Sequence, residues 1–145
     1  MGRMIVIVSA CMFAAVLVGP TPTAAEGALA VGLPANVAKD GIALGAEINV
    51  ATEKEAREKA IIQCRTHKNA GDLVRKLCKI VATFHDQCVA DAIDPQAGTP
   101  GFGWAIAAEQ RTAEKRALAK CEETAGPGRR AACRVGFSVC DGSAK

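Results

Sequence analysis

Cysteine carries the clearest chemistry in this chain of 145 residues. Cys64, Cys78, Cys88, Cys121, Cys133 and Cys140 are separated by 13, 9, 32, 11 and 6 residues. No C-x-x-C knuckle occurs, so the spacing argues against zinc, and neither a metal nor a cofactor is expected. An even set of cysteines in a short exported chain reads as a disulfide framework. A seventh, Cys11, lies in an apolar N-terminal run and is expected to leave with it.

The other candidates are sparse. His67 and His85 are the only histidines. Asp86, Asp91 and Asp94 cluster around the centre of the chain and, with His85, could form the acid–base set of a small hydrolase. They lack the alternating ligands of a calcium loop. No G-x-S-x-G or H-E-x-x-H motif is present, so no catalytic residue is assigned. Two basic stretches, Arg65, Lys68, Arg75 and Lys76 with Lys79, then Arg129, Arg130 and Arg134, form a candidate binding surface. Both also follow helix C-termini, where cations are favoured locally. Trp104 is either core or an exposed binding anchor.

These residues need elements to position them. Ala56-x-x-x-Ala60-x-x-x-Cys64 and Ala113-x-x-x-Ala117-x-x-x-Cys121 each place small residues on one helical face, with charges opposite. Thr52 and Glu55 form a capping box for a helix over 52–66. The second helix is expected over 110–123, with Glu109 at its start and Ala125-Gly126-Pro127-Gly128 ending it. Short strands are expected at 41–44, 46–50, 78–84, 88–92, 102–107 and 133–140. Leu73 to Leu77 reads as an extra helical turn. Asp94 to Gly101, with two prolines and two glycines, is a loop.

The order is β-β-α-β twice, and a shift of 57 residues overlays the two helices. It also places Ala46 on Gly103 and Ile48 on Ala105. Neither half could bury a core alone. The expected architecture is α+β: two β-β-α-β repeats sharing one small antiparallel or mixed sheet with two packed helices. The repeated pattern favours equivalent cysteine pairs, Cys64–Cys78 and Cys121–Cys133, leaving Cys88–Cys140 between halves. Each local loop of this size contributes roughly 3 kcal/mol.

Residues 1–25 have the layout of a secretory signal peptide. Arg3 lies in a short n-region, Ile5 to Val18 is an apolar run too short for a comfortable span, and small residues lead to cleavage after Ala25. Residues 26–39 are read as a flexible lead, 40–141 as the domain and 142–145 as a tail. Without Arg3 the net charge falls from +3 to +2, too weak to imply nucleic acid or a membrane surface. A secreted or periplasmic location follows.

The ordered set of motifs resembles the secreted bacterial family called domain of unknown function 4189. Gly103-Trp104-Ala105, Ala113-Glu114, Ala117-Leu118, Cys121, Cys133 and Cys140 carry the resemblance in the second half. Gly41-Ile42-Ala43, Glu55-Ala56, Ala60, Cys64, Cys78-Lys79-Ile80-Val81 and Cys88-Val89-Ala90 carry it in the first. Two departures stand out: a longer, more basic loop between Cys64 and Cys78, and Glu47 in place of a glycine or aromatic residue. The resemblance implies no catalytic residues. The leading functional expectation is a non-enzymatic interaction module binding a protein or envelope component. The alternatives are an inhibitor or immunity-type protein, presenting the 94–101 loop to an extracytoplasmic enzyme, and the small Asp/His hydrolase.

Overall fold

The computed structural model describes residues 25–145. The expected leader falls outside the described residues. The first sheet has the order β2-β1-β3, from β1 (Glu26–Gly32), β2 (Ala43–Val50) and β3 (Lys79–His85). The second has the order β5-β4-β6, from β4 (Cys88–Ile93), β5 (Phe102–Ala107) and β6 (Arg134–Cys140). All pairings are antiparallel. Helix α2 (Glu53–Arg65) packs on the first sheet and α4 (Gln110–Ala125) on the second. Short helices α1 (Val37–Asp40) and α3 (Asp72–Lys76), with a 3-10 turn at Arg130–Ala132, complete the connections.

The α+β class is as expected, but the strands form two sheets instead of sharing one. The reason lies in the inner faces. Ala28 and Ala30 of β1 pack in a cluster with Ala56, Ala60 and Cys64 of α2. Ala90 and Ala92 of β4 do the same with Ala113, Ala117 and Cys121 of α4. The alternate residues Leu29, Val31 and Val89 join Phe84 and Phe102 in a third cluster that draws on both sheets. One continuous sheet with both helices on one face would leave those larger side chains in water. Stacking the sheets buries them, giving helix, sheet, sheet, helix.

The same logic corrects the expected flexible lead at 26–39. Residues 26–32 are the central strand of the first sheet, and Ala28, Leu29 and Ala30 are 0% exposed. Because β1 is covered on both faces, it shows no polar–apolar alternation to mark it as a strand. Similarly, the two short strands expected at 41–44 and 46–50 are one, β2. The tail is tied down as well: Asp141 is buried, the Gly142 amide donates to Asn49 Oδ1 at 2.8 Å, and the Gln110 amide donates to the Lys145 carbonyl at 3.0 Å.

Three disulfides fasten the elements. Cys64–Cys78 ties the end of α2 to the start of β3, and Cys121–Cys133 ties α4 to the start of β6. Cys88–Cys140 joins two directly paired residues of β4 and β6, so it lies within the second half and does not link the halves. The halves meet instead through the inter-sheet core and through Asp141, which accepts from the Asn49 amide at 2.6 Å.

Strand pairing shows which positions correspond. Gly45 pairs with Ala30, and Gly103 with Ala92. A Cβ on Gly45 would collide with the Ala60 carbonyl and Cys64 amide, and one on Gly103 would lie 2.6 Å and 2.5 Å from the Ala117 carbonyl and Cys121 amide. These glycines let each helix sit against its sheet. The strands therefore match one residue away from the shift that overlays the helices. The extra residue is taken up where the β1–β2 register slips, beside Asn49, whose φ of 57° asparagine tolerates better than most residues.

Candidate functional site: an inter-sheet cleft with a buried carboxylate

Corresponding positions on the inner faces are not filled alike. Leu29 pairs with Ala46 in the first sheet, and Asp91 with Trp104 in the second. Counting between equivalent pairs, Val81 of β3 corresponds to Gly136 of β6. One side of the inter-sheet space thus receives the buried Leu29 with the partly buried Val81 and Trp104, none of which lines the cleft. The other receives Asp91, Gly136 and Ala46, a carboxylate and two small residues. On that side a cleft of about 1040 Å³ opens. Its walls are the inner faces of β2 and β6, the 94–101 loop and α1.

Asp91 is 2% exposed. The Phe137 amide donates to its Oδ1 at 2.5 Å, the Asp91 backbone amide also acts on the carboxylate, and no described cation pairs with it. Gly136 makes room, since a Cβ there would stand 2.7 Å from the carboxylate. Burial pushes the Asp91 carboxyl above its ordinary pKa, and the hydrogen bonds from the Phe137 and Asp91 backbone amides only partly oppose that. The surroundings are apolar, with Ile48, Ile93, Phe102 and Phe137 among the lining. His67 also lines the cleft, and its buried Nδ1 has no hydrogen-bond partner.

Asp94 is in the opposite state. Arg129 donates to both its oxygens, at 2.7 Å and 2.6 Å, and the Gln96 amide donates at 3.0 Å. The Arg129 guanidinium holds the Asp94 carboxyl down at about 2. The Asp94 amide donates to the Gly101 carbonyl at 2.9 Å, closing the base of the loop. Arg129 is therefore a clamp for this loop, and its charge is matched within the fold.

The remaining sequence candidates disperse. His85 and Asp86 are outside the cleft lining. His85 Nδ1 lies 2.6 Å from the Ala25 carbonyl and Nε2 3.1 Å from Asp86, which accepts from Ser143. The structure does not gather His85 with Asp91 or Asp94. Arg65, Lys68, Lys76 and Arg130 are exposed with no ion pair among the described residues. Arg75 is paired with Asp72, and Arg134 donates to the Ala131 and Cys133 carbonyls. Trp104 is half-buried on the inner face, with Lys120 Nζ 4.9 Å from its ring centroid. Glu47 interacts with Gln63 and Lys59 on the surface. No cluster of three or more metal-ligating side chains occurs among the described residues.

The sequence model of the family described as Domain of unknown function (DUF4189) matches residues 27–140. The chain belongs to the DUF4189 family. The match begins inside β1 and ends at Cys140, so it takes in both sheets, both long helices and all three disulfides. No curated protein and no solved structure matches this DUF4189 chain significantly. Among its described residues, no helix is long and apolar enough to cross a membrane.

Sequence reasoning singled out Asp91 only as one of three neighbouring aspartates. A better signal was available: Asp91 interrupts the apolar run Cys88-Val89-Ala90-Asp91-Ala92-Ile93. Ala46 and Gly136 carried no such mark, because their meaning depends on what stands at the corresponding positions of the other sheet.

Proposed function

We propose that this DUF4189 chain is an exported, non-enzymatic binding module that takes its ligand into the inter-sheet cleft. One observation carries the reading: a buried carboxylate with no cationic partner among the described residues lines an apolar cleft where the corresponding position of the other sheet is a packed leucine. A carboxylate there costs stability and adds nothing to packing, which is the signature of a position kept for function. Three disulfides favour an oxidising compartment, in line with a secreted or periplasmic location. The exposed Lys68 stands between two cleft-lining residues, His67 and Asn69, so the first basic stretch borders the mouth. The ligand class follows from the cleft's dimensions and lining: a small or slender, largely apolar molecule with a polar end.

The test is amide NMR of the oxidised protein against a panel of small amphiphiles and envelope extracts. Shifts grouped at Ala46, Asp91, Gly136 and Phe137 would support the reading. Shifts confined to the outer surface would overturn it. A second reading, an inhibitor presenting the 94–101 loop, is favoured by the Arg129 clamp at the base of an exposed tip, Pro95 to Gly98. Under that reading a loop variant such as Gln96→Ala would lose a protein partner while leaving the cleft shifts intact.

A further inference from the structure

We infer that the ligand of the cleft is a monocationic amine with an apolar body, its ammonium group seated on Asp91. The inference rests on the cleft-binding reading and names the chemistry of that same site.

The argument is one of missing charge. A carboxylate taken out of water is ordinarily matched by a cation or by several hydrogen-bond donors. Among the described residues Asp91 has two backbone amides on it, that of Phe137 and its own, and no cation. The other charged groups lining the cleft do not supply one. Asp94 is saturated by Arg129, and Lys39 and Asp40, of opposite sign, sit exposed on α1 at the rim. His67 contributes an orphaned Nδ1. The apolar walls complement a hydrocarbon or aromatic body. An ammonium group at the floor would give the Asp91 carboxylate a charged donor and would neutralise a buried charge, a charge-assisted contact in a low-dielectric place. A carboxylate ligand would be repelled, and an alcohol would satisfy the hydrogen bond but leave the charge.

Three probes sharing one octyl chain separate these cases: octylammonium chloride, 1-octanol and sodium octanoate. Each is titrated into the full oxidised chain at pH 7, below its aggregation threshold, with amide NMR reporting the location and the affinity. The expected result is octylammonium bound in the cleft at least about tenfold tighter than octanol, with octanoate weakest. Asp91→Asn should reduce the amine-to-alcohol ratio to about one. Ala46→Trp, which installs the residue of the corresponding position, should block all three probes. If the asparagine variant does not fold, the wild-type ratio measured at pH 4 against pH 7 serves instead, and it should fall as Asp91 takes up a proton. Equal binding of amine and alcohol in the cleft would overturn the amine inference and leave the cleft reading standing. Absence of cleft shifts with all three probes would overturn both.

Discussion

Replacing Asp91 with asparagine should make the protein more stable at neutral pH. Asp91 is 2% exposed, is met only by the backbone amides of Phe137 and of Asp91 itself among the described residues, and its folded-state pKa is raised by burial. For a carboxyl group raised in the folded state, the native protein binds more protons than the unfolded chain above the unfolded pKa, about 3.9. Stability is therefore lost as pH rises from that value through the raised pKa, and the full cost is in place above it. Asparagine keeps an acceptor for the Phe137 amide and carries no charge. The gain at pH 7 should be about 1–2 kcal/mol, within the cost of burying an under-satisfied polar group. In a domain of this size that is a rise in Tm of several degrees. Urea unfolding of the oxidised protein, wild type against Asp91→Asn at several pH values from 4 to 8, measures it directly. The difference should shrink towards pH 4. A variant less stable than wild type at pH 7, or a difference independent of pH, would show that Asp91 is satisfied in the fold and would remove the physical basis of the site.

Three further outcomes follow from the structure. Arg129→Ala should release the 94–101 loop, seen as faster proteolysis between Pro95 and Gly101. It should also remove the stability that Asp94 supplies above its unfolded pKa and loses as pH falls towards about 2, flattening the acid limb of the wild-type stability profile. Gly103→Ala should cost about 1–3 kcal/mol by forcing α4 off its sheet, and Gly45→Ala should do the same to α2; chemical denaturation reads both. Removing Cys64–Cys78 by paired alanine substitution should cost about 3 kcal/mol in the same assay, from the loop of sequence separation 14 that it closes.

How much of this could be read from residues alone depended on whether a feature was local. The helices were legible because their small-residue faces and the Thr52 cap are local; Thr52 Oγ1 accepts from the Glu55 amide at 3.2 Å. Strands covered on one face or starting at a cysteine were legible too. The central strand β1 was not, because Gly27-Ala28-Leu29-Ala30 has two buried faces and looks like any small-residue segment. The stacking of two sheets was hidden for a related reason: only the alternation of alanines and larger residues along β1 and β4 records it. The cleft was the least legible. It arises from differences between residues far apart in sequence, Leu29 against Asp91 and Ala46 against Trp104, and no local pattern reports an empty space. Arg129 misled because its arginine-rich setting looks like a surface, while its partner Asp94 lies 35 residues away.

The unequal filling of the inter-sheet space also sets the stoichiometry that the cleft-binding proposal predicts. Strand order and helix placement are alike in the two halves, so the architecture has room for two clefts, and side-chain choice leaves one. On the cleft-binding proposal each chain would hold a single ligand, with the half carrying Leu29, Val81 and Trp104 as the solid wall against which the open one keeps its shape. Writing the open side's residues into the closed one, Leu29→Asp with Val81→Gly and Trp104→Ala, would open a second cleft, at the expense of the packing that holds the sheets together.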